Sequence, residues 1–145
     1  MLVSLVCLVV SVNSTIDEKR LISAIGYAES THCSTAVGDQ VKNPGKRKDV
    51  VWRNGKAYLA YGEWQNHLAR WIEGGGTARN WKTASREVQL RVMTKNMNRY
   101  ARSVPGRLSH DKAIIWIANF HNIGHGSLVE TDYTRKVLKF YRERK

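Results

Sequence analysis

Asp111-Lys112-Ala113-Ile114-Ile115-Trp116-Ile117-Ala118-Asn119-Phe120 is apolar almost all round once its two charged leading residues are passed. A helix with no polar side has nothing to offer water and must be enclosed by protein, so this stretch reads as the central buried helix of a domain. Its neighbours supply the packing partners. Leu21, Ile22, Ile25 and Ala28 recur at helical spacing, and so do Val88, Val92, Met93, Met97 and Tyr100 in a helix expected over residues 84–101 and closed by Val104-Pro105-Gly106. A last helix from about Tyr133 turns Tyr133, Val137, Leu138 and Tyr141 inward. Thr15 and Glu18 have the spacing of a capping box, which starts the first helix and puts Glu29 near its C-terminal end.

Residues 66–73 allow a short helix, stopped by Gly74-Gly75-Gly76. These glycines lack the following Lys-Ser/Thr and the preceding strand of a phosphate loop, so they read as a helix stop and hinge. From Ser34 to Lys56 the chain turns to Gly, Asp, Asn, Pro and basic residues with little periodicity, which predicts a long loop or irregular hairpin. No repeat or low-complexity tract interrupts the pattern. The expectation is an all-α, or nearly all-α, single domain over residues 15–145.

Met1 to Val10 is an apolar run too short for a membrane span, which needs roughly 20 such residues. With the small residues of Ser11-Val12-Asn13-Ser14 behind it, residues 1–14 read as an export signal, although no Lys or Arg precedes the run; the alternative is a buried N-terminal strand. Export implies a secreted or periplasmic protein. Cleavage removes Cys7 and leaves Cys33 as the one cysteine of the mature chain, so the two can pair only if the segment stays attached.

Lys and Arg number 24 against 12 Asp and Glu, a formal net charge of +12. Such a field attracts polyanions, whether nucleic acid, an anionic membrane or an anionic cell wall. The cations are scattered, with local clusters at Lys46-Arg47-Lys48 and at the C-terminus, and charge alone does not choose among the three.

Three pieces of sequence narrow the choice. Glu29-Ser30 ends the first helix, Gly62-Glu63-Trp64-Gln65 follows in a loop, and Phe120-His121-Asn122-Ile123-Gly124-His125-Gly126 closes the buried helix. In that order they resemble the lysozyme-like domain of soluble lytic transglycosylases and goose-type lysozymes, which cut the glycan strands of bacterial cell wall. The likeness extends to Ala36-Val37-Gly38-Asp39, to Gly55-Lys56-Ala57, and to Glu130-Thr131 and Tyr133 before the last helix, so it spans Ile22 to Tyr141.

The resemblance implies a helical domain with a cleft beside its central helix. It also implies a peptidoglycan muramidase acting on the β-1,4 bond between N-acetylmuramic acid and N-acetylglucosamine. Glu29 is then the single acid and base, at a helix end whose dipole favours the protonated form. Ser30, Gln65, His121, Asn122, Glu130 and Tyr133 are carried over as substrate-binding residues. His121 stands where the family has a tyrosine beside the acid; a neutral imidazole can still donate to Glu29, whereas a protonated one lowers the acid's pKa. Asp39 is the candidate second carboxylate for a hydrolytic variant.

No metal or organic cofactor is implied, and the expected partner is the wall glycan, with a monomeric protein, no nucleic acid and no stable membrane insertion. The pair His121 and His125 has the spacing of a zinc motif, but Asn122 replaces its glutamate and Gly124 ends the helix. Cys33 reads as a small apolar residue or a nucleophile. The aromatics Trp52, Tyr58, Tyr61, Trp64, Trp71 and Trp81 can either complete the core or stack on sugars. The competing readings are a lysozyme-like domain that grips wall glycan without cutting it and a basic nucleic-acid-binding module; the latter lacks a helix-turn-helix or RNA-binding signature.

Overall fold

The computed structural model describes residues 16–145. The expected signal segment 1–14, Cys7 and the Thr15 hydroxyl of the expected capping box lie outside the described residues. In chain order the elements are α1 (Glu18–Ser30), β1 (Val37–Val41), β2 (Val51–Arg53), β3 (Lys56–Tyr61), β4 (Asn66–His67), α2 (Leu68–Glu73), α3 (Arg86–Arg102), α4 (His110–Ile123) and α5 (Asp132–Glu143).

The expectation of an all-α domain is corrected. The protein is mixed, 48% helix and 12% strand, with a four-stranded antiparallel sheet: β1 and β2 lie in the segment expected to be loop, β3 runs on from its end, and β4 takes the first two residues of the expected 66–73 helix. The physical reason is that these strands hide the period-two signal. β1 is Val-Gly-Asp-Gln-Val and β2 only three residues, so neither shows an alternation of apolar and polar positions.

The chain divides into two compact units, residues 16–28 with 97–145, and Glu29–Asn96. In the first, α4 is the buried helix its sequence promised, with Ala113, Ile114, Ile115, Ile117 and Ala118 all inside. It starts at Ser109, whose hydroxyl accepts the Lys112 N–H, and closes at Gly124 with φ +88, an angle that glycine tolerates without strain. α4 packs on α5, whose Thr131 and Thr134 cap each other's backbone. Asp17 caps α1, its Oδ1 accepting the Arg20 N–H at 3.0 Å. At the other end Lys136 Nζ donates to the Ala28 carbonyl at 3.1 Å, a cation on the negative end of the helix dipole.

The second unit is built on the sheet, in the order β1-β3-β2 with β4 pairing β3. Arg53 pairs with Lys56 across the two-residue turn Asn54-Gly55, both at positive φ, which is the hairpin turn whose twist suits antiparallel strands. Val51, Tyr61, Trp71, Trp81 and Val92 form its core. The indole N–H of Trp81 donates to the Asn66 carbonyl at 3.0 Å and that of Trp71 to the Asn80 Oδ1 at 2.9 Å, so both rings are buried without leaving a donor unmatched. Of the aromatics left open between core and sugar stacking, Trp64, Trp71 and Trp81 are core, whereas Trp52 is 57% exposed.

Candidate active site

α1 ends in two consecutive left-handed residues, Thr31 at φ +55 and His32 at φ +63. A β-branched residue at positive φ is strained, and such strain persists only where surrounding bonds hold it. Ser30 provides one of them. Its hydroxyl donates to the carbonyl of Glu63 at 2.7 Å and accepts the Cys33 N–H at 3.0 Å. A single side chain therefore ties the end of α1, and with it Glu29, to the Gly62-Glu63-Trp64-Gln65 turn, 33 positions on from Ser30.

That turn is held from every side. Gly62 sits at φ +90 and a β-carbon there would lie 2.4 Å from Gln89 Oε1. The same Gln89 oxygen accepts the Glu63 N–H at 2.9 Å, while its Nε2 donates to the carbonyls of Ser34 and Ala84 at 2.8 and 3.0 Å. Glu63 is fully buried. Arg86 grips its carboxylate through Nε at 2.6 Å and Nη2 at 3.2 Å, and His32 Nδ1 lies 2.6 Å from Oε1. The His32 tautomer with its proton on Nδ1 is the one that can donate to this carboxylate. Arg86 also lies over the Trp64 ring, 5.7 Å from its centroid.

Gln65 is the next left-handed residue, at φ +47. Its Nε2 donates to the Gly62 carbonyl at 2.9 Å, so the amide braces its own turn. Its Oε1 presses on Gly38, where a β-carbon would lie 2.1 Å away, so any larger residue there must displace the Gln65 amide. Asp39, at φ +56, is exposed, and its Oδ2 accepts from His67 Nε2 at 2.5 Å. The candidate second carboxylate is thus already engaged. Four non-glycine residues at positive φ, namely Thr31, His32, Asp39 and Gln65, cluster on segments that are bonded to one another around this turn.

Of the sequence-predicted residues, Glu29, Ser30, Asp39 and Gln65 belong to this unit; Glu29 is half-buried in the last turn of α1, a turn with no basic residue of its own. His121, Asn122, Glu130 and Tyr133 belong to the other. There His121 is buried in the last turn of α4, its ring 6.0 Å from that of Tyr100, while Asn122 and Glu130 are exposed and Tyr133 half-buried at the start of α5. His125 lies beyond the helix, with Nδ1 3.1 Å from the Gly126 carbonyl. Among the described residues no three His, Cys, Asp or Glu side chains gather as a metal site.

Cys33 is an exposed free thiol. The backbone N–H of Thr35, then its hydroxyl, hold the thiolate and pull the pKa below the ordinary cysteine value, against a small opposing effect of burial and with help from Arg53. Sequence reasoning missed Glu63, His32, Arg86 and Gln89 as a working group. Glu63 carried no signal beyond its place in the turn motif, and its partners lie 23 to 31 positions away. Compared with known proteins, the chain matches no family model, no curated protein and no solved structure.

Proposed function

We propose that the protein is a peptidoglycan-cleaving muramidase, exported to the cell envelope, in which Glu29 is the acid and then the base. The observation that carries this reading is the Ser30 hydrogen bond to the Glu63 carbonyl, which joins the Glu-Ser pair to the Gly-x-x-Gln turn as one fixed unit. A carboxyl group that must protonate a glycosidic oxygen needs access to substrate and a fixed direction. Glu29 has partial exposure and a braced neighbour. Glu63 has neither access nor a spare lone pair facing solvent, because Arg86 and His32 enclose it, so the two glutamates divide into reactant and brace.

In the reaction Glu29 gives its proton to the leaving O4 of the glycan as the C1–O bond breaks. Its carboxylate then takes the proton from the muramic acid's own C6 hydroxyl as that oxygen closes on C1, which yields the 1,6-anhydro sugar and regenerates the acid. The engagement of Asp39 by His67 favours this one-carboxylate form over hydrolysis through a second carboxylate. No metal or cofactor takes part. The roles of Gln65, His121, Asn122, Glu130 and Tyr133 in holding sugar rest on the resemblance alone, and the surplus positive charge suits a wall bearing carboxylates.

The test is mass spectrometry of purified peptidoglycan after digestion, with Glu29→Gln in parallel. The expected result is release of anhydro-muropeptides by the wild type and a fall of about 10²–10⁴-fold in the variant, with its circular dichroism unchanged. Equal release by both removes Glu29 from the chemistry. The second reading, a non-cutting wall-glycan binder, draws on the Gln65 amide being turned into its own loop and on His121 replacing the family tyrosine. It predicts sacculus binding with no release by either protein.

A further inference from the structure

Gly74-Gly75-Gly76 carries no phosphate-loop signature in sequence, yet α3 brings to it the cations that the linear motif lacks. Arg91 and Lys95, one helical turn apart on the same face, join the three glycines and Asn80 in lining a cavity of about 140 Å³. That is room for several waters or one tetrahedral oxyanion. Gly75 has φ +89, and Lys95 Nζ lies 3.1 Å from the point where its β-carbon would stand, so a bare backbone is what lets the ammonium lie over the turn.

The backbone N–H groups of Gly74, Gly75 and Gly76 are spent on the carbonyls of Arg70, Ile72 and Trp71, so the donors left for a ligand are side chains. Asn80 Oδ1 accepts both the Trp71 indole N–H at 2.9 Å and the Thr77 N–H at 3.0 Å, which fixes the amide's orientation and leaves Nδ2 without a partner among the described residues. Arg91 and Lys95 form no ion pair or side-chain hydrogen bond among the described residues, and no carboxylate lines the cavity. The contrast within the same chain matters. Arg47, Arg86, Arg135 and Arg142 each hold a carboxylate at 2.5–2.7 Å. Here two adjacent cations and an amide donor meet a concave space with no carboxylate among its lining residues to answer them.

We infer that this pocket binds a small oxyanion, a phosphate or carboxylate group, through Arg91, Lys95 and the Asn80 amide. The inference does not depend on the enzymatic reading, since a bound oxyanion is detectable without turnover. Guanidinium and ammonium donors make short, charge-assisted bonds to such oxygens.

The experiment is a titration of the ¹⁵N-labelled full chain with sodium phosphate, with sodium acetate in a second arm and sodium chloride at matched ionic strength as the control. The expected result is saturable shifts of the Gly74, Gly75 and Gly76 amides and of the Asn80 side-chain amide, absent in chloride. Saturation in the phosphate arm alone identifies a phosphate site, and in the acetate arm alone a carboxylate site. Arg91→Gln with Lys95→Gln should weaken the affinity by about tenfold or more while the rest of the spectrum stays in place. If that double variant unfolds, Lys95→Gln alone carries the comparison. Non-saturating shifts, shifts matched by chloride, or affinity that survives loss of both cations would overturn the site.

Discussion

The side-chain oxygen of Gln65 occupies the space that a β-carbon on Gly38 would need, 2.1 Å from that position. Two motif fragments 27 positions apart in number, Gly38 and Gln65, are therefore one packing contact. Gly38→Ala should push the Gln65 amide off the Gly62 carbonyl and destabilise the protein by about 1–3 kcal/mol, the usual result of overpacking. Gln65→Ala on its own should be milder, and the double variant should recover most of the loss, since the clash has no partner left. Urea unfolding of the four proteins measures the coupling; simple additivity would separate the two residues.

Glu63 and Arg86 make an asymmetric pair, the carboxylate fully buried and the guanidinium side chain 54% exposed. Arg86→Ala leaves a buried charge with only His32 to answer it and should destabilise by about 3–5 kcal/mol. Glu63→Gln leaves Arg86 free to reach water and should be the smaller change. The same denaturation experiment ranks them, and a larger effect for Glu63→Gln would show that the carboxylate's hydrogen bonds, not its desolvated charge, dominate.

Cys33 should alkylate at lower pH than a reference thiol, because its lowered pKa gives more thiolate near neutrality. Thr35→Ala removes the hydroxyl but keeps the backbone N–H, so it should move the inflection of the rate upward only in part. Iodoacetamide kinetics across pH read this directly. An inflection at the ordinary cysteine value in the wild type would contradict the shift.

The helices were legible because their apolar residues repeat on one face or, in α4, on all faces. The sheet was not, because Gly38 and Asp39 break the alternation of β1 and only the Asn54-Gly55 pair announces a hairpin. The site divides along the same line. Glu29, Ser30 and Gln65 stand in short local motifs, whereas the enclosure of Glu63 by His32 and Arg86 depends on chain returns that no local pattern encodes. Gly38 and Gly62 were visible as glycines, but the reason for each is a side-chain oxygen arriving from elsewhere in the fold.

Under the proposed muramidase reaction, Asp39 is the residue that separates two products. Its carboxylate is exposed and sits 2.5 Å from His67 Nε2, at a residue held in a left-handed conformation. A group so engaged is poorly placed to activate water, so Asp39→Asn should leave both the rate of wall cleavage and the anhydro character of the product within about twofold of wild type. His67→Gln should do the same, since it frees the carboxylate without giving it a base's position. Mass spectrometry distinguishes the anhydro product from the hydrolysed one by the mass of one water. A hydrolysed product from the wild type, lost in Asp39→Asn, would make Asp39 the second carboxylate and the enzyme a lysozyme in its chemistry.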